Sequence, residues 1–152
     1  MDHIDRKICD LLQEDAKRPT SAIAEAVGLP LSTAADRLKR LTASGAIRGI
    51  HAALDPAALD AGLCAFVLID MSHDGEAEAA ARLTADPRVQ ELHHISGPHS
   101  YLAKLRVKDI AALQSFLAGV VKPLPAVRHT ETLLALDSLK ETAAIALEAA
   151  PA

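Results

Sequence analysis

Apolar residues recur at helical spacing through the first third of this chain and at strand spacing through much of the rest. Ile4, Ile8, Leu11 and Leu12 form a stripe, with Cys9 beside it, and predict a helix over Asp2–Asp15. Asp2 and Asp5 near its start suit the positive end of the helix dipole. Lys17-Arg18-Pro19 break it. Thr20 to Leu41, TSAIAEAVGLPLSTAADRLKRL, then reads as two short helices around a tight turn. The first covers Thr20–Val27, with Thr20 or Ser21 as its hydroxyl cap and Ile23, Ala24 and Val27 as its apolar side. Gly28 supplies the positive φ of a sharp turn, Leu29 plugs the corner, and Pro30 cannot extend the helix. The second covers Ser32–Ser44. Leu31, Ala34, Ala35, Leu38 and Leu41 are its expected buried face; Ser32, Thr33, Asp36, Arg37 and Arg40 lie opposite.

Gly45 ends that helix. Ala46–Leu54 (AIRGIHAAL) reads either as a wing strand or as a connector, and Asp55-Pro56 marks a boundary. Beyond it the period changes. Leu63–Met71 reads as a buried strand, Gly75–Thr84 as a helix, and Val89–Ser96 and Ser100–Val107 as alternating strands around a Gly97-Pro98 turn. Asp109–Val121 is a helix with Asp109 as its cap, stopped by Pro123-Leu124-Pro125, and Val127–Leu136 is a last strand. The order β-α-β-β-α-β is that of a ferredoxin-like sheet with helices on one face. The first strand is apolar on both sides, so its second face needs a cover; another copy of the chain is the simplest one. The expected division is a head over 1–54, a linker over 55–62, a second domain over 63–138 and an Ala-rich tail, helical or frayed, over 139–152.

Composition sharpens this picture. Apolar residues make up 50% of the chain but aromatics only 2%, so the core must be built from Leu, Ala, Ile and Val. The net charge of −4 excludes a uniformly basic nucleic-acid binder. Its distribution says more: residues 16–54 hold six basic and two acidic side chains. Positive charge therefore surrounds the helix pair, where phosphate would be met. The start, MDHIDRK, lacks an apolar signal region, and the longest apolar run is too short to span a bilayer. A soluble cytoplasmic protein without membrane association is expected. Cys9 and Cys64 stand apart among apolar neighbours, as reduced buried cysteines do.

A helix pair in a basic setting points to a major-groove reading head. Ser32, Thr33, Asp36, Arg37, Lys39, Arg40 and Arg48 are its candidate contacts to double-stranded DNA. Arg37 is expected to read a base, and Asp36 either to accept from cytosine N4 or, the favoured reading, to orient Arg37 or Arg40; Lys39 and Arg48 are expected on phosphate. The acids of the first helix are expected to face away from DNA. An enzymatic reading draws on seven histidines. His93 and His94, however, are neighbours on a strand and point to opposite faces. No nucleophile triad, phosphate loop or HExxH motif accompanies them. No catalytic residue, metal site or cofactor is expected. A stand-alone ligand-binding module is disfavoured by the intact head.

The residues of the head resemble the leucine-responsive regulatory protein/AsnC family of transcription regulators. The likeness rests on Asp5, Ile8, Leu12, the Ala24 to Leu29 turn, Arg37-Leu38-Lys39-Arg40-Leu41 and Gly45-Ala46-Ile47. The second half resembles the family's effector-binding (RAM) domain in Pro87-Arg88-Val89, Gly97, SYLAKLRV, Leu124-Pro125, Thr130, Thr132 and Lys140-Glu141. The resemblance implies an α+β chain, with a winged-helix-type helix-turn-helix head followed by the ferredoxin-like RAM domain. It implies a homodimer, which in the family often extends to an octamer, on a near-palindromic operator. It also implies a small-molecule effector between subunits, near Gly97, Pro98, His99, Ser100 and Tyr101, joined by Thr130 or Thr132. A plain hairpin turn is the alternative reading of that loop. Two positions depart from the family: Pro30 replaces a Ser, and Pro98 and Ser100 replace the acids of a Gly-Asp-x-Asp loop. Without those acids, free amino acids are expected to bind weakly. An anionic or neutral metabolite is expected instead, with protonated His99 strengthening the binding of an anion below about pH 6.5.

Overall fold

The computed structural model describes residues 1–147 and divides into two compact units. One comprises Met1–Ala53 with the tail from Glu141; the other is Leu54–Lys140.

The first unit is three helices packed on one another: α1 (His3–Glu14), α2 (Thr20–Val27) and α3 (Leu31–Ala43). Ile8, Ile23 and Leu41 form their buried centre, ringed by Ile4, Leu11, Leu12, Val27, Leu38 and Ile47. Each such side chain contributes roughly 1.5–3 kcal/mol on burial. α1 opens on a capping box: the Asp5 N–H donates to Asp2 Oδ1 at 2.8 Å, and the Asp2 N–H to Asp5 Oδ2 at 3.3 Å. α2 differs from its expected start. Pro19 is its cap, without a side-chain bond, and Thr20 is already helical. Proline's fixed φ of about −65° presets the entry and takes over from the hydroxyl cap. Gly28 closes α2 at φ 69°, as the turn requires. Pro30 caps α3, so the helix begins at Leu31. The buried stripe is narrower than expected: Ala34 and Leu41 are buried and Leu38 is half-buried, whereas Leu31 and Ala35 are exposed. Residues 46–54 form no strand, so the head carries no wing there. Only Ile47 folds back, its N–H donating to Leu41 O at 3.1 Å. With no second strand in the head for it to pair with, the AIRGIHAAL segment serves as a connector.

The second unit opens with a 3₁₀ turn, Ala57–Leu59. It continues through β1 (Leu63–Met71), α4 (Glu76–Ala85), β2 (Val89–His94), β3 (Tyr101–Val107), α5 (Ile110–Phe116) and β4 (Val127–Leu134). The strands lie in the order β2-β3-β1-β4, every neighbouring pair antiparallel. Ala65, Val67, Ile69, Ala103, Leu105 and Val107 turn one face to the helices and are buried against Ala79, Leu83, Leu113 and Phe116. The alternate residues Phe66, Leu68 and Leu102 are only half-buried on the other face, and Leu133 there is 48% exposed. Asp109 caps α5 as expected, accepting from the Ala112 N–H at 2.8 Å. The expected single helix to Val121 instead widens into a π-helical turn at Leu117–Val121. The Arg88 guanidinium stacks over the Phe116 ring at 4.9 Å while bonding Asp86, which fastens the α4–β2 turn to the core.

The tail after Lys140 is neither helix nor strand through residue 147. The Gln13 side-chain amide holds it: Nε2 donates to Ile145 O at 3.0 Å, and the Ile145 N–H donates to Oε1 at 2.7 Å. The expectation for residues 148–152 lies outside the described residues.

Candidate functional site

α3 stands on α1 and α2 through Ala34, Leu38 and Leu41, and presents Ser32, Thr33, Asp36, Lys39 and Arg40 to solvent. Arg48 is exposed in the connector. Arg37 stands apart from this set. Its Nη1 lies 2.6 Å from Asp2 Oδ2 and 2.8 Å from Asp5 Oδ1, and its side chain is only 21% exposed. Arg40 Nη2 reaches Asp5 at 3.4 Å but stays 64% exposed. One expectation is thereby corrected. The acids at the start of α1 face α3, and they, not Asp36, orient the arginines; Asp36 bonds neither. The reason is burial: Asp5 sits on the flank of the apolar stripe at 3% exposure, and a carboxylate there needs a cation. Burial works against its charge, but hydrogen bonds from Arg37 and the Asp2 N–H outweigh it and hold its pKa below the ordinary value. The Asp5 N–H and then Arg37 lower Asp2 to about 2.

In the second unit the loop between β2 and β3 is pinned to β1. The Ser100 N–H donates to Ile69 O at 3.1 Å, and the Met71 N–H donates to Ser100 Oγ at 3.4 Å. Gly97, at φ 124°, and Pro98 stand exposed at the tip. His99 folds inward between two carboxylates: Nδ1 is 3.1 Å from Asp70 Oδ1 and Nε2 is 3.5 Å from Glu131 Oε2. An anion approaching this imidazole meets both acids, so His99 is poorly placed as the partner of an anionic ligand. The sequence reading missed Asp70 and Glu131. Their signal was a polar residue interrupting each apolar alternation on the open sheet face.

The other expected effector residues lie on the opposite side of the sheet. Thr130 and Thr132 pair with Ile69 and Val67, which face the helices. Tyr101 pairs with Ile69 and stacks on His94 with ring centres 4.9 Å apart. Burial, then a hydrogen bond to Glu76, pushes the Tyr101 hydroxyl up. The structure thus brings His99 and Ser100 together but not with Thr130 or Thr132. Among the described residues no His, Cys, Asp and Glu cluster is suited to a metal ion, and no helix is long and apolar enough to cross a membrane.

Comparison with known proteins matches the two units to two family descriptions: the AsnC-type helix-turn-helix domain over residues 1–42 and the Lrp/AsnC ligand binding domain over residues 64–145. The chain belongs to the Lrp/AsnC family. As an Lrp/AsnC protein it is a DNA-binding transcription regulator with a ligand-binding domain, in a family of regulators and not of enzymes. It is 37% identical over 142 residues to the HTH-type transcriptional regulator FL11 of Pyrococcus abyssi, covering 93% of each chain. The crystal structure of an AsnC family transcriptional regulator from Agrobacterium tumefaciens superposes with TM-score 0.88 at 29% identity, over 96% of this Lrp/AsnC chain and 97% of that one. A Neisseria meningitidis transcriptional regulator in complex with L-methionine gives TM-score 0.88 at 26% identity, over 96% of each chain.

Proposed function

We propose that this regulator binds a near-palindromic operator as a homodimer. Ser32, Thr33, Asp36 and Arg40 meet base edges and Lys39 and Arg48 meet phosphate. The observation that carries this reading is the exposed face of α3, from which Arg37 is withdrawn to hold α1. The half-buried Phe66, Leu68 and Leu102 on the open sheet face support pairing of two sheets. A two-fold pair of heads then asks for half-sites about 34–36 Å apart, or a multiple of that. Gel-shift titration against DNA flanking the gene, with Arg40→Ala, Lys39→Ala and Arg48→Ala, tests the assignment. Arg40→Ala relaxes specificity at one position, while the other two weaken all sequences alike. Parent-like binding by all three variants overturns it.

The effector is assigned to the Gly97–Ser100 loop, beside His99. Asp70 and Glu131 supply the negative charge that Pro98 and Ser100 lack, which favours a ligand with an ammonium group over the expected anion. The relative crystallised with L-methionine points the same way. Calorimetric titration with L-methionine and the other amino acids tests it. Binding that is unchanged in Asp70→Asn and Glu131→Gln removes the loop from consideration.

A further inference from the structure

Where α5 runs out into its π-helical turn, a groove of about 470 Å³ opens against the outer edge of β4. That size lies within the range of small-molecule sites. Leu117 and Val121 give it an apolar wall, Gln114 and Thr130 a hydrogen-bonding rim, and Lys122 and Arg128 its charge. No acidic residue lines it. In the same unit Arg88, Lys104 and Lys108 are each paired with a carboxylate. Lys122 and Arg128 are paired with none among the described residues, and both converge on this one groove. The wide turn, closed by the Lys122 N–H donating to Leu117 O at 2.8 Å, sets Lys122 at the mouth. Turns of this kind recur at functional sites.

We propose that this groove binds a small carboxylic acid with an aliphatic chain. The carboxylate sits between Lys122 and Arg128, and the chain lies along Leu117 and Val121. With no acid to receive an ammonium, the groove rejects free amino acids, in contrast to the loop at His99. The site stands independently of the loop assignment.

The test is calorimetric titration of the full chain with 4-methylpentanoate and with the neutral 4-methylpentanamide, together with L-methionine as the probe of the loop. Expected is saturable binding of the acid, none of the amide, and a loss of about tenfold or more in Lys122→Gln and in Arg128→Gln. His99→Gln leaves acid binding unchanged. Both groove substitutions are at exposed positions, and equal melting temperatures verify that the fold persists. No saturable binding of the acid overturns the proposal. So does equal binding of the amide, or loss of binding in His99→Gln but not in the groove variants. Failure of L-methionine to bind bears on the loop alone.

Discussion

Asp5 lies within the head with almost no water around it, so the fate of its charge depends on Arg37. Arg37→Ala is expected to lower head stability, because the buried Asp5 carboxylate loses its cation, while leaving the ranking of DNA sequences intact. Chemical unfolding beside a gel-shift panel checks both halves. Changed specificity with unchanged stability would return Arg37 to the DNA. The same cluster sets an acid limit. Asp2 and Asp5 both have folded pKa values below the usual 3.8, so their stabilisation is present above that pH and is lost as pH falls through the folded values, about 2 for Asp2. Helicity of the head followed on acidification should therefore decline below about pH 4, and the decline should shrink in Asp2→Asn. The pattern of the sequence placed Arg37 on the polar face of its helix, which is where it begins. The pattern carries no information on which polar neighbour the guanidinium finds, because Asp2 and Asp5 are brought to it only by helix packing.

At the scale of elements, the turn between α2 and α3 rests on Gly28. A Cβ built there meets nothing within 4 Å, so only the left-handed backbone at φ 69° resists a side chain. Gly28→Ala should cost about 1–2 kcal/mol, with no repacking, and Gly28→Asn less; thermal melts of both variants check the order. This turn, the helices around it and the order of strands and helices along the chain were legible because each is written locally, in period and in turn residues. The segment after them stayed open between wing strand and connector. AIRGIHAAL has a β-like composition, but a strand also needs a partner, and this one finds none. The surroundings of His99 were equally hidden. Asp70 reaches it from 29 residues away and Glu131 from another strand, and only the register of β1 with β4 sets those two side by side.

For the whole molecule, the homodimer proposed above rests on the open sheet face. Leu68 lies near its middle, half-buried, opposite Leu102 on β3 and Glu131 on β4. Leu68→Lys should leave the covered core intact while dissociating the proposed homodimer. Light scattering at micromolar concentration should then give a monomer with a native circular dichroism spectrum. DNA affinity should fall with it, since two linked heads hold an operator far more tightly than one. A dimer that survives Leu68→Lys would place the subunit contact elsewhere. The amide clasp between Gln13 and Ile145 bears on how the molecule is made. It joins residues 132 positions apart, so at ribosomal rates of about 5–20 residues per second the first helix waits roughly 7–26 s for this partner. The three helices close their own core without it. The core of the head can thus close while the ligand-binding domain is still being synthesised, and the clasp forms only after that domain has left the ribosome.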